Sequence, residues 1–471
     1  MSFHSLDFVA FFLLVVSAYW CLPHRAQNLL LLVSSYTFYG WIHPWFLSLM
    51  AISTVIDWAS ALAMTRWPGQ KRAWLGLSLV TNLGMLAFFK YFNFFVENVN
   101  AAVVALGGPA LRPGLDIVLP VGISFYTFES LSYCIDVFRR KCPPADTPLS
   151  LLFFITFFPK LVAGPIARPS ELLPQLERPP ALDRARASEG VFLIASGLVK
   201  KVALADYLSV NLVDRIFDDP ESYTATEVVV ALYGFTLQIY CDFSGYTDIA
   251  RGSAKLFGIE LPENFDRPYQ SRSPAEFWRR WHMTLSTWLR DYLYFPLGGS
   301  RLGPVRTYFN LWLTIFLIGL WHGASWTFVI YGAIQGTAVA LHRLVSRMRG
   351  KSDDDLARDP AWLRVAKVVG TLQFVVFSRI LFRATSLENA ADVLARLGSR
   401  TWSAANVAPT VWAVLLAGFA LHYTPRAWRA LLRARFSALP APAQGVVMAT
   451  TLALLSLVAT SETVPYIYFQ F

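Results

Sequence analysis

Apolar residues arrive in this chain in long, nearly uninterrupted runs: Phe8 to Leu22, Leu75 to Phe95, Ile117 to Val137, Glu227 to Tyr246, Asn310 to Leu320 continuing past Trp326, and Val446 to Ala459. Each approaches the roughly 20 residues a helix needs to cross a hydrocarbon core. Composition agrees, with 55% hydrophobic and 15% charged residues where a soluble domain carries about 25% charge. The expected fold class is therefore all-α, a polytopic transmembrane helical protein with about 11 to 13 spanning segments plus re-entrant and interfacial helices.

The run from Phe8 has no basic cluster before it and no small-residue cleavage pattern close behind, so it reads as a retained span and not as a removable signal. Cys21, Cys134, Cys142 and Cys241 lie scattered, without metal-ligand or paired spacing, and read as small apolar residues; no metal site is expected. The net charge of +10 finds its account in the membrane rule, which puts basic loops on the cytoplasmic side, so no nucleic acid partner is implied. Basic clusters at Arg66 to Arg72, Arg139 to Lys141, Arg251 to Arg306, Arg343 to Lys351 and Arg426 to Arg435 are then inside. The poorly basic or acidic connections Glu97 to Asp116, Asp214 to Glu221 and Ser386 to Ala405 are outside. This parity holds only if Leu151 to Ile166, interrupted by Pro159, Gly164 and Pro165, enters and leaves on one side as a re-entrant element. No internal repeat or low-complexity tract divides the chain, which reads as one membrane domain over residues 1–471.

Chemistry concentrates in residues 240–326, where polar, aromatic and glycine residues interrupt the apolar pattern. His322 closes the run that begins near Leu311 and is flanked by Gly323 and Ala324, which leave room for a substrate. An ionisable side chain at that depth is costly and marks function. An imidazole with an ordinary pKa of about 6.5 can take a proton from an acceptor hydroxyl. The competing reading is a histidine hydrogen-bonded between helices. Phe277 to Tyr292 reads as an interfacial helix whose apolar stripe is Phe277, Trp281, Leu285 and Trp288, with His282 on a flank beside Ser286 and Leu289. On its own, His282 reads as a structural or headgroup-level residue ahead of a catalytic one. Arg279 and Arg280 either anchor that helix at the lipid surface or bind the phosphates of an acyl donor. Asp242, Asp248, Glu129 and Asp136 read as structural ion-pair partners. No phosphate-cradling glycine loop, nucleophile elbow or His-Glu-x-x-His is present, which argues against an ATP-driven pump and a soluble-type serine hydrolase.

Several long motifs in fixed order give a resemblance over nearly the whole chain. They are Pro120 to Phe128, Phe157 to Ile166, Tyr240 to Tyr246, Phe277 to His282, Trp321-His322-Gly323 and Pro465 to Phe471. In these the chain resembles the membrane-bound O-acyltransferase family, in the bacterial branch concerned with alginate O-acetylation. The resemblance implies a ring of transmembrane helices around a thinned centre, with a tunnel joining the faces. It implies that His322 is the catalytic histidine and His282 its partner. It further implies a cytoplasmic thioester donor such as acetyl-CoA, with no tightly bound cofactor. The expected acceptor is a hydroxyl of a secreted polysaccharide such as alginate, reached directly or through a periplasmic acetyltransferase partner, and the expected location is the bacterial inner membrane. Two further readings stay open on sequence: a transporter or channel for an acylated carrier, whose broken helices and buried polar residues look similar, and D-alanyl transfer to teichoic acid.

Overall fold

The computed structural model describes residues 3, 5–41, 44–110, 115, 117–181, 183–350, 359–459 and 464–467. Residues 468–471 of the terminal motif, residues 111–114 and 116 of the expected outer connection Glu97 to Asp116, and Lys351 of a basic cluster lie outside them. The described residues are helical apart from connections, with one isolated antiparallel bridge between Phe265 and Trp281. They group into two compact units, Met1–Ala187 with Ser253–Pro262, and Ser188–Gly252 with Glu263–Phe471.

The first unit is built from α1 (Leu6–Trp20), α2 (His24–Gly40), α3 (Phe46–Arg66), α4 (Lys71–Leu86), α5 (Phe92–Ala105), α6 (Ile123–Phe138), α7 (Pro148–Thr156) and α8 (Pro169–Glu177). Two of its buried carboxylates are met by partners within the unit, as burial among apolar helices favours. The α3 carboxylate of Asp57 accepts from Ser78 Oγ at 2.6 Å and Asn82 Nδ2 at 2.9 Å, both on α4. Glu129 on α6 pairs with Lys160, both buried, which is the ion-pair role read for it in the sequence. The stretch from Leu151 to Ile166 behaves as its Pro and Gly content suggests. Helix α7 has nine residues, too short to cross, and continues into irregular backbone. Every residue from Phe153 to Ala167 is buried, the condition under which irregular backbone is tolerated at membrane depth.

The second unit begins within α9 (Arg184–Leu198) and contains α10 (Asp214–Asp218) and α11 (Ala225–Leu256, through Gly252). It continues with α12 (Pro274–Arg280), α13 (Met283–Leu289), α14 (Gly303–His322), α15 (Trp326–Met348), α16 (Ala361–Arg383), α17 (Leu387–Gly398), α18 (Pro409–Tyr423), α19 (Arg426–Ala438) and α20 (Ala441–Val458). Two of the carboxylates read as ion-pair partners are so engaged here, Asp242 with Lys201 at 2.6 Å and Asp248 with Lys200 at 2.6 Å.

Among the described residues six helical stretches are long and apolar enough to cross a membrane: Phe46–Arg66, Pro68–Ala105, Ala225–Leu256, Trp326–Met348, Ala361–Arg383 and Ala441–Val458. Two shorter apolar helices, Asp7–Trp20 and Pro409–Tyr423, join them. This is fewer than the eleven to thirteen expected, because several apolar runs are divided. The run expected to continue from Asn310 past Trp326 stops at His322 and restarts at Trp326. The run from Ile117 is helical only from Ile123, and that helix is buried along almost its whole length.

Candidate active site

Helix α14 carries His322 at its last position, with its C-cap at the extended Gly323. The helix is held by close packing against α15. A Cβ on Gly319 would lie 2.4 Å from Gly332 Cα, and one on Gly332 would lie 2.5 Å from Phe316 O. Such small-residue contacts let two helix backbones approach in an apolar surrounding where side-chain burial gives little driving force. Gly323 was expected to leave room for substrate, and the structure assigns that room differently. A Cβ there would lie 2.2 Å from the Phe328 ring, so the first turn of α15 occupies the space. His322 itself is buried, with its ring 5.1 Å from that of Phe382 on α16 and 5.1 Å from that of Trp321.

The interfacial helix expected over Phe277 to Tyr292 is two helices. Ser273 caps α12 through its Oγ, which accepts from Glu276 N, and Pro274 opens the first turn. The helix stops because the next residues pair with an upstream segment. Trp281 is extended and bridges Phe265, Asp266 N donates to Arg280 O, and Met283 N donates to Asn264 O. His282 falls at the joint with φ +45°, a left-handed conformation that costs a non-glycine residue and persists only where the surroundings enforce it. His282 is thus not on a helix flank with Ser286 and Leu289. The stripe Phe277, Trp281, Leu285 and Trp288 is real as a buried set, and it faces protein.

Those surroundings also choose the tautomer. Asn264 Oδ1 accepts from Thr284 N at 3.2 Å, which identifies it as the oxygen of the amide, and the same oxygen lies 3.1 Å from His282 Nδ1. The imidazole proton therefore sits on Nδ1, and Nε2 carries the lone pair. Burial pushes the His282 pKa down to about 3, so the ring is neutral at physiological pH. The ring makes edge-type contacts with Phe243, at 4.8 Å, and Trp321, at 5.8 Å between centroids. Trp321 touches both imidazoles, and this brings the two expected histidines into one buried cluster.

The structure separates Arg279 from Arg280. Arg280 is tied down, with Nη2 2.7 Å from Glu276 Oε1, whereas Arg279 is exposed on the last turn of α12. A cavity of about 580 Å³ lies in the second unit, lined among others by Lys200, Tyr240, Asp248, Arg251, Asn264 and Arg429. Asn264 links it to the histidine cluster, since one end of its amide holds His282 and the residue lines the cavity.

Three participants escaped the sequence reading. Asn264 gives no sign of its role in the sequence, because its partner is 18 positions away. Phe382 and Arg379 lie on α16, outside residues 240–326. Arg379 is 1% exposed, with its guanidinium 4.7 Å from the Trp281 ring and 5.0 Å from the Phe382 ring. An arginine within the apolar run Phe374 to Phe382 was the available signal.

A profile described as MBOAT, membrane-bound O-acyltransferase family, matches residues 147–381. The chain is 41% identical to a protein of Azotobacter vinelandii described as "Probable alginate O-acetylase AlgI", over 82% of this chain and 76% of that one. It is 34% identical to the peptidoglycan O-acetyltransferase of Helicobacter pylori, over 80% and 75%. To the teichoic acid D-alanyltransferase of Bacillus subtilis the identity is 27%, over 58% and 70%.

Proposed function

Because this chain belongs to the membrane-bound O-acyltransferase family, we propose that it moves an acetyl group from a cytoplasmic thioester such as acetyl-CoA to a hydroxyl presented across the bacterial inner membrane. It is a multi-pass membrane O-acyltransferase. The final acceptor in this reading is a secreted polysaccharide, alginate being the first choice, reached directly or through a periplasmic acetyltransferase. Support for acetyl over D-alanyl comes from the relatives: those near 40% identity are described as O-acetylases, and the D-alanyltransferase is more distant.

One observation carries the chemistry: His282 and His322 pack against the same Trp321 ring in a buried cluster. In the proposed reaction His322 takes the proton of the acceptor hydroxyl as its oxygen attacks the thioester carbonyl carbon. The C–S bond then breaks, and the leaving thiolate receives that proton. His282, neutral and with Nε2 as acceptor, positions the donor or acceptor by a hydrogen bond and does not carry charge. Arg279 and Arg280 are assigned to the donor phosphates, Arg279 by its exposure and Arg280 by exchange of its Glu276 contact.

The test is purified full-length protein with acetyl-labelled CoA and a polysaccharide or peptide hydroxyl acceptor. Labelled ester formation by the wild type, lost in a folded, inserted His322→Ala variant, is the expected result. Wild-type rates in that variant overturn the assignment, and passage of label across a vesicle without ester formation or hydrolysis points to transport.

A further inference from the structure

Arg379 is a full positive charge placed where a protein can least carry one. Its side chain is buried, and among the described residues it forms no ion pair. Among the described residues Nε and Nη2 have no hydrogen-bond partner. The guanidinium carbon lies 4.7 Å from the centroid of the Trp281 ring and 5.0 Å from that of Phe382. Nε and Nη2 together form the side of the fork that directs two N–H groups at one oxygen. An arginine cannot escape its burial by losing its proton, so an unpaired one is held at a standing cost that something in the working cycle must offset.

Its neighbours say where the guanidinium lies. Trp281 precedes His282 in the chain, and the Phe382 ring is 5.1 Å from His322. The guanidinium therefore contacts a direct neighbour of each histidine. Helix α16 is tied at this point by a relay in which Trp278 Nε1 donates to Gln335 Oε1 and Gln335 Nε2 donates to Ser378 Oγ, the residue before Arg379.

We infer that Arg379 binds the carbonyl oxygen of the acyl thioester and holds the negative charge that forms there. The inference rests on the thioester reading above. When the acceptor oxygen bonds to the carbonyl carbon, the carbonyl π pair moves onto its oxygen, and the Nε and Nη2 hydrogens stabilise that oxyanion. The pair returns as the C–S bond breaks, and the thiolate leaves with the proton held by His322. A preorganised donor in a dry site acts in this way without reorganisation cost.

The test compares wild type, Arg379→Met and Arg379→Ala in nanodiscs with acetyl-labelled CoA, reading turnover, donor KM and melting temperature. The Met variant keeps the packed stem and removes the charge. It should lose about 10²- to 10³-fold in kcat, with donor KM little changed and a melting temperature equal to or above that of wild type. In Arg379→Ala, added guanidinium ion should restore part of the turnover. A Met variant that turns over like wild type overturns the inference and leaves the acyl-transfer reading standing. So does one that melts lower and loses activity in proportion, with no guanidinium rescue of the Ala variant, since that is a packing role. A wild type that leaves the thioester untouched removes both.

Discussion

Replacing Asn264 by alanine tests whether the histidine cluster is assembled as described. Asn264 Oδ1 accepts three hydrogen bonds, from His282 Nδ1 at 3.1 Å, Thr284 N at 3.2 Å and Thr284 Oγ1 at 3.0 Å. Asn264 is 1% exposed and His282 0%. The threonine hydroxyl can rotate toward another acceptor; the backbone N–H and the imidazole N–H cannot. A stranded buried donor costs about 1–3 kcal/mol, so two cost about 2–6 kcal/mol. The cavity that Asn264 lines holds polar side chains such as Asp248 and Lys200 and has room for water, which can replace part of the lost acceptor, so the lower end, about 2–3 kcal/mol, is expected. With Nδ1 no longer held, the ring also loses its tautomer preference and its orientation. Displacement of a positioned group by about 1 Å costs on the order of 10²-fold in rate. Thermal unfolding in detergent, paired with acetyl transfer at saturating donor, measures both effects. Asn264→Asp keeps an acceptor for Thr284 and should melt closer to wild type. An alanine variant that melts and transfers like wild type would refute both the tautomer and the positioning argument.

Burial holds the native His282 pKa near 3, below the unfolded value of about 6.5, so the unfolded chain gains a proton that the native one refuses. Its contribution is therefore complete above about pH 6.5 and declines as pH falls toward 3, by about 1.4 kcal/mol per pH unit. The melting-temperature gap between wild type and His282→Gln should shrink from pH 7.5 to pH 5, and a constant gap means that His282 is not held neutral. Gly319→Val puts a side chain where Gly332 Cα is only 2.4 Å from the new Cβ. It should part α14 from α15 and cut turnover about 10²-fold through His322, whereas Gly76→Ala, with nothing within 4 Å, should leave turnover unchanged. Arg279→Lys should raise donor KM because an ammonium cannot reproduce the guanidinium fork on phosphate, and Arg280→Lys should do so too. Donor-concentration curves with wild-type KM in both would remove these arginines from the donor site.

The membrane class of this chain was legible because transfer of apolar runs into lipid is a local, additive property of consecutive residues. His322 stood out for the same reason, as an ionisable group closing such a run, and so did the irregular element after Leu151, where Pro and Gly act on their own backbone. The Phe277 to Trp288 stripe shows where periodicity misleads. Four buried residues at helical spacing fit one helix, yet the chain breaks at Trp281 and His282 because residues 264–266 supply backbone partners that a continuing helix would forgo. Arg279 and Arg280 look equivalent in sequence, and only the fold pairs Arg280 with Glu276 and places Arg279 at the surface. Arg379 joins the histidines through Trp281 and Phe382 across nearly a hundred positions of chain. Sequence by itself determined which segments leave water and which residue types are costly there. Tertiary structure alone decided which of those costly groups meet, because hydrogen bonds and ring contacts act over a few ångströms in space regardless of their separation along the chain.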